Sequence, residues 1–205
     1  MAKTKIEFVC RECGASHHQW VGQCLDCKEW NTLEEIVITQ TTSSKSEILK
    51  DLPASKVQNL SEITTQNKQR LSTGLSELDR TLGGGLVDGS VVLIGGDPGI
   101  GKSTLILQAL AVINKANTTL YVSGEESAEQ VSERAIRLEI KEDILFISET
   151  HLEKILKLSK DFQPKVIVID SIQTMVTDIS SSAPGSVTQV RDCAAQLTQY
   201  AKQTN

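Results

Sequence analysis

The run Gly96-Asp97-Pro98-Gly99-Ile100-Gly101-Lys102-Ser103 matches G-x-x-x-x-G-K-[ST], lies between an aliphatic stretch and a helical pattern, and narrows the possible folds more than any other feature. That order of strand, glycine loop and helix is the context in which the pattern binds phosphate. Glycines let successive backbone N–H groups converge on phosphate oxygens, and the helix N-terminus adds its partial positive charge. Lys102 would reach the β and γ phosphates and Ser103 would ligate magnesium, with Thr104 completing the nucleotide-binding run.

The surrounding pattern is that of an α/β protein with a parallel sheet. Short aliphatic runs alternate with helical ones from Leu71 onward. Aromatics make up only 3% of the chain, so Val, Ile and Leu must fill the core, as they do in a sheet buried on both faces. Strands are expected at Ser90 to Ile94, Thr118 to Ser123, Ile144 to Ile147 and Lys165 to Ile169. Helices are expected at Lys102 to Asn114, from Ser127 with a Ser127/Gln130 capping box, through Leu152, Ile155, Leu156 and Phe162, and from Val187 to Ala201.

Two acids stand where strands end. Val166-Ile167-Val168-Ile169-Asp170 is an aliphatic strand closed by a carboxylate, which suits a magnesium ligand; many buried strands also end in Asp as a turn residue. Glu125 follows the Thr118 to Ser123 strand, at the sheet edge where open α/β folds bind ligands, and is the candidate base for an attacking water. The competing reading is that Glu125 and Glu126 merely favour the positive end of the next helix, and Glu126 is the reserve base. Asn114-Lys115-Ala116-Asn117 fails the guanine signature at its last position, so adenine is the expected base.

The first 36 residues hold four of the five cysteines and both tryptophans. Cys10 and Cys13 form one Cys-x-x-Cys pair and Cys24 and Cys27 another, with ten residues between the pairs, a spacing that builds a tetrahedral four-sulfur zinc shell. A segment this short cannot hold itself together by apolar burial, whereas a structural metal couples its binding energy to folding. Disulfides or a redox pair are the alternatives. Gly14 and Gly22 are placed to supply permissive backbone at the turns. Trp20 and Trp30 are expected to pack on the ribbon, with base stacking as the other possibility, and Cys193 reads as a small buried hydrophobe.

Three parts follow: a zinc ribbon over 1–36, a linker over 37–60 and a P-loop domain over 61–205. The stretch from Thr39 to Ser46 is polar and has nothing to bury. With 21 Lys+Arg against 26 Asp+Glu the net charge is −5, so bulk charge would not attract nucleic acid and any polyanion site must be local. No aliphatic run approaches the roughly 20 residues needed to cross a bilayer. No membrane association and a cytoplasmic location are expected.

The residues resemble the bacterial RadA (Sms) family. Cys10-Arg11-Glu12-Cys13-Gly14 and Trp20 to Thr32 look like its N-terminal zinc finger, and Ser72-Thr73-Gly74-Leu75-Ser76-Glu77-Leu78-Asp79 with the loop from Gly95 to Thr104 is similar to its RecA-like ATPase. The resemblance implies an ATP-dependent DNA repair and recombination protein that binds single-stranded and branched DNA, promotes branch migration and assembles as a homo-hexamer. It implies partners among recombinases and replicative helicases, zinc on the four cysteines, and ATP with magnesium at Lys102, Ser103 and Asp170. Glu125 takes the position of the catalytic glutamate, and Thr177 to Gly185 that of a DNA-facing loop.

The chain departs from the family in two respects. It stops at Asn205, before the family's Lys-Asn-Arg-Phe-Gly motif and Lon-protease-like domain, and a sheet gap is expected beside the strand before Gly96, with weak or no turnover by this chain alone. Residues 171 to 190 carry one charge, Asp178, so that loop brings no cation to a phosphate backbone, and Arg191 is the nearest. A nucleotide-dependent switch or scaffold whose ribbon recruits a protein is the second reading, which an absence of DNA stimulation would favour. A nucleoside kinase is the third, and the ribbon's position ahead of the loop counts against it.

Overall fold

A computed structural model describes residues 4–39, 59, 70–180 and 182–204. The expected linker lies almost wholly outside them. The chain divides into two compact units, 1–67 and 68–205.

In the first unit, β1 (Thr4–Cys10) pairs antiparallel with β2 (Ser16–His17) on one side and with β3 (Leu33–Thr39) on the other. Cys10 and Leu33 are register partners at the end of the longer ladder, so the strands deliver the first ligand directly to the metal cluster. The small core is Cys10, Cys24 and Leu33, backed by Phe8, Ala15 and Val21.

The second unit contains a parallel sheet of β4 (Thr119–Ser123), β5 (Leu145–Ser148) and β6 (Val166–Asp170), ordered β5-β4-β6. Around it stand α1 (Ser76–Thr81), α2 (Lys102–Asn114), α3 (Ala128–Arg137), α4 (Leu152–Phe162), a 3-10 turn (Ile172–Thr174) and α5 (Val187–Thr204). Every residue of the central strand β4 is buried. Its side chains alternate between faces. Leu120 and Val122 pack with Leu152, Ile155, Met175 and Cys193, whereas Tyr121 packs with Leu107 and Leu110 of α2 and Val131 of α3. The result is a three-layer α/β/α core, with the expected aliphatic filling.

Local signals account for the helix starts. Ser127 caps α3 by accepting from the Gln130 backbone N–H, and the Gln130 side chain accepts from the Ser127 N–H at 2.9 Å, so the capping box is present. Helix α2 begins at Lys102, after Gly101 at φ 102°. Cys193 is fully buried, as expected.

One expected strand is not there. Ser90 to Ile94 pairs with no described strand; Val91 and Val92 are exposed and Leu93 is 84% exposed. An extended segment becomes a strand only when a neighbour supplies its hydrogen-bond partners, and β6 pairs on one side only among the described residues, with β4. Among those residues no helix is long and apolar enough to cross a membrane.

The segment ahead of the phosphate loop is anchored by polar contacts and close packing. Asp79 accepts from the Thr73 N–H at 2.8 Å, the Thr73 hydroxyl at 2.7 Å and the Ser72 hydroxyl at 2.6 Å. These bonds, the Ser72 hydroxyl first, hold its carboxyl below the usual range. Gly74 sits at φ +73° against α2, where a Cβ would lie 2.5 Å from Val112 Cγ1. Gly74→Ala combines left-handed strain with a clash and should cost about 1–3 kcal/mol. Chemical denaturation of the core checks it. Gly99→Ala, also at positive φ but with nothing within 4 Å of the added carbon, should cost less.

Candidate metal and nucleotide sites

The two Cys-x-x-Cys segments fold into matching knuckles. Gly14 N–H donates to Cys10 O at 2.8 Å and Lys28 N–H to Cys24 O at 3.0 Å; Cys10 N–H reaches Ala15 O and Cys24 N–H reaches Glu29 O, both at 2.9 Å. Each knuckle needs one left-handed residue at the same position. Gly14 supplies it at φ 73°, and in the second knuckle Lys28 does so at φ 65°. Gly22, expected in that role, has ordinary backbone and instead lies between Trp20 and Trp30, at 3.9 and 3.7 Å from where a Cβ would be.

The four sulfurs lie within 4.8 Å of one another, with Cys10–Cys27 and Cys13–Cys24 at 3.6 Å. A tetrahedral zinc with 2.3 Å bonds to sulfur requires edges of about 3.8 Å, so the cluster fits the ion. Electrostatics argues the same way. The Cys27 N–H draws the Cys24 thiol down to about 6 against burial, with help from His17. Although the Glu29 N–H favours its thiolate, burial and the other three sulfurs push Cys27 up to about 12. Four thiolates need a cation among them. His17 Nε2 lies 3.5 Å from Cys24 Sγ and 3.6 Å from Asp26 Oδ2, at the margin of the four-sulfur set. Trp20 and Trp30 flank Gly22 yet remain 56% and 66% exposed, so the ribbon uses little of their surface for its own packing.

In the second unit, α2 packs on β4 and β6, the two strands whose C-terminal ends carry the acidic residues. The loop ahead of α2 is exposed and runs through left-handed glycines, Gly96 at φ 157°, Gly99 at 78° and Gly101 at 102°. The Lys102 ammonium donates to Gly96 O and Asp97 O, both at 2.8 Å, holding the loop on itself. No side chain caps the start of α2, which leaves the first-turn N–H groups to an incoming acceptor.

Ser123 and Asp170 are register partners at the strand ends. Asp170 accepts a short hydrogen bond from the Tyr121 hydroxyl. Burial pushes the Tyr121 phenol up, and the bond to Asp170 adds to it, so the phenol keeps its proton and donates. Tyr121 is not among the residues expected at the site, because its contact with Asp170 depends on β4 and β6 being neighbours in register.

The structure separates the two glutamates. Glu126 is committed to Arg134 in a close, largely buried ion pair, and its N–H donates to Ser123 Oγ at 2.9 Å. Glu125 has no such cation among the described residues. Its Oε1 accepts from Ser171 Oγ at 2.7 Å, and Ser171 directly follows Asp170. A four-cysteine ribbon ahead in sequence of a parallel α/β core with a phosphate loop defines the class: a zinc-ribbon P-loop protein.

The chain belongs to the family of unknown function DUF7125, whose model matches more than half of it, and along its whole length it is similar to bacterial RadA proteins. It is 50% identical over 205 residues to the DNA repair protein RadA of Pseudomonas aeruginosa, covering 100% of this chain and 45% of that protein. It is 50% identical over 210 residues to that of Escherichia coli, covering 98% and 45%, and 44% identical over 206 residues to that of Bacillus subtilis, again covering 98% and 45%. The chain thus spans a little under half the length of these relatives. Residues 8–35 match the family model described as a rubredoxin metal binding domain, and residues 70–192 match that of a family of unknown function, DUF7125. Among solved structures, the flagellar accessory protein FlaH of Methanocaldococcus jannaschii aligns with a TM-score of 0.46 at 19% identity, over 65% of this chain and 66% of that one.

Proposed function

We propose that the chain is the ribbon and nucleotide-binding part of an ATP-dependent DNA repair and recombination protein. In this reading it binds single-stranded DNA, assembles as a hexamer and uses hydrolysis to drive branch migration. Zinc is held by Cys10, Cys13, Cys24 and Cys27. Residues Gly96 to Thr104 wrap the phosphates, Lys102 neutralises the β and γ oxygens, and Ser103 and Asp170 offer the hydroxyl and carboxylate oxygens that a hard divalent cation takes. Magnesium bound there would offset the charge that develops on the leaving phosphates.

Glu125 takes the proton of the attacking water as its oxygen bonds to the γ phosphorus and the bond to the β–γ bridging oxygen breaks, releasing ADP and phosphate. Tyr121 fixes the Asp170 carboxylate by donating to it. The single observation that carries this assignment is the contact of Glu125, which has no cationic partner among the described residues, with Ser171, the residue after Asp170, while Glu126 is committed to Arg134.

In a version extended to the length of its curated relatives, Glu125→Gln should lower single-turnover hydrolysis, measured with protein in excess, by about 10²-fold or more while nucleotide still binds. Glu126→Gln should lose stability before it loses chemistry, because it strands Arg134. Equal hydrolysis by wild type and Glu125→Gln would reverse the assignment. The exposed Trp20 and Trp30 favour a second reading, a nucleotide-dependent scaffold whose ribbon docks a protein. Hydrolysis insensitive to DNA would support it.

A further inference from the structure

Ser171 touches both halves of a connected path. Its hydroxyl donates to Glu125, across 46 positions of sequence, and its carbonyl accepts from the Thr174 N–H at 3.2 Å and the Thr174 hydroxyl at 2.8 Å, closing the 3-10 turn. Gly124 presses on that same turn. A Cβ on it would lie 2.0 Å from Thr174 Oγ1, 2.8 Å from Thr174 Cβ and 3.0 Å from Met175 Cε, and its N–H donates to Asp170 O at 3.1 Å. The Gly124-Glu125 segment and the turn after Asp170 are therefore packed so closely that neither can shift without the other.

The path continues without a break. Met175 is fully buried in the core. Val176 N–H donates to Thr150 O and Leu152 N–H to Val176 O, both at 2.9 Å. Thr177 donates its hydroxyl to Glu153 and accepts from Gln196 of α5, while the Asp178 N–H reaches the same Glu153 oxygen at 3.1 Å. Beyond Asp178 the chain emerges, with Ile179 exposed. One end of the path is the proposed base, and the other is the start of the exposed segment that leads to α5.

We infer that Ser171 is a positioning residue: its hydroxyl latches the Glu125 carboxylate in a resting orientation and ties that orientation to the 172–180 segment. This rests on the reading of Glu125 as the base. The water that attacks bound nucleotide must donate to the same oxygen and so competes with Ser171 for it, which makes release of the latch and movement of the 172–180 segment one event. By reciprocity, a ligand that moves that segment frees Glu125. The coupling needs no contact between that ligand and the nucleotide.

The test is amide hydrogen exchange over residues 172–180 on this chain, with and without magnesium and a non-hydrolysable ATP analogue, for wild type, Ser171→Ala and Ser171→Thr. Wild type should change its exchange on binding. Ser171→Ala should bind the analogue within about twofold of wild type yet lose the response by about threefold or more, and Ser171→Thr, which keeps the hydroxyl, should restore it. Full retention of the response in Ser171→Ala, or no response in a wild type that binds the analogue, overturns the latch. Failure of the analogue to bind at all, read in the same titration, removes the nucleotide-site reading and the latch with it. Loss of hydrolysis in Glu125→Gln alongside an unchanged response in Ser171→Ala would sink the latch and leave the base in place.

Discussion

Stripping the metal from the ribbon, or changing Cys10 to Ser, should unfold residues 4–39 while the α/β core stands. The ribbon's own apolar core is Cys10, Cys24 and Leu33 with a few half-buried neighbours, two of those three core residues being metal ligands. Too little surface is buried there to offset the ordering of some 30 residues. A structural zinc supplies on the order of 10 kcal/mol, enough to decide the outcome. The second unit has separate clusters, around Leu120 and Val122 on one face and Tyr121 on the other, and shares none of the ligands. Both tryptophans of the chain lie in the ribbon, so their fluorescence reports on that unit alone while far-ultraviolet dichroism follows the helices of the other. One metal per chain and a tryptophan transition on chelation, without loss of helix, are the expected results. A ribbon that keeps its tryptophan environment without metal would refute the four-sulfur account.

Lys102→Ala should abolish most nucleotide affinity and leave folding almost untouched. The ammonium is exposed and bonded only to carbonyls of its own loop, Gly96 O and Asp97 O, so its removal strands no buried partner. Bound to phosphate oxygens, the same group makes charge-assisted hydrogen bonds of about 1.5–3 kcal/mol. That corresponds to a loss of about 10- to 100-fold in affinity. Calorimetric titration with magnesium and an ATP analogue, beside a thermal melt of each protein, checks both halves. Affinity unchanged in Lys102→Ala would mean that the loop does not hold the phosphates.

The sheet and its helices were legible where the signal is local. Periodicity placed α2 at Lys102–Asn114, alternation placed β4, β5 and β6 to within a residue, and Ser127 with Gln130 marked the start of α3. What failed depends on partners far along the chain. Ser90 to Ile94 has the composition of a buried strand, but pairing is a property of neighbours, and no described strand lies alongside it. The left-handed residue of the second knuckle is Lys28 and not the expected Gly22, because the closing of the knuckle by two backbone hydrogen bonds outweighs the modest cost of a left-handed lysine. The choice between Glu125 and Glu126 could not be read from two adjacent identical residues. Arg134, two helical turns on, makes it by taking Glu126. Likewise Tyr121 reaches Asp170 only because β4 and β6 are neighbours in register, which no pattern along one strand announces.

In the proposed reading the loop from Gly96, Glu125 and Asp170 form one site of ATP hydrolysis that answers to DNA. ATP turnover with and without single-stranded DNA, by this chain and by a version extended to the length of its curated relatives, tests it most directly. The account predicts weak or no turnover by the present chain, and turnover by the longer one that DNA accelerates and Lys102→Ala abolishes. Hydrolysis by the longer protein that DNA leaves unchanged would contradict it and turn the search to protein partners of the ribbon.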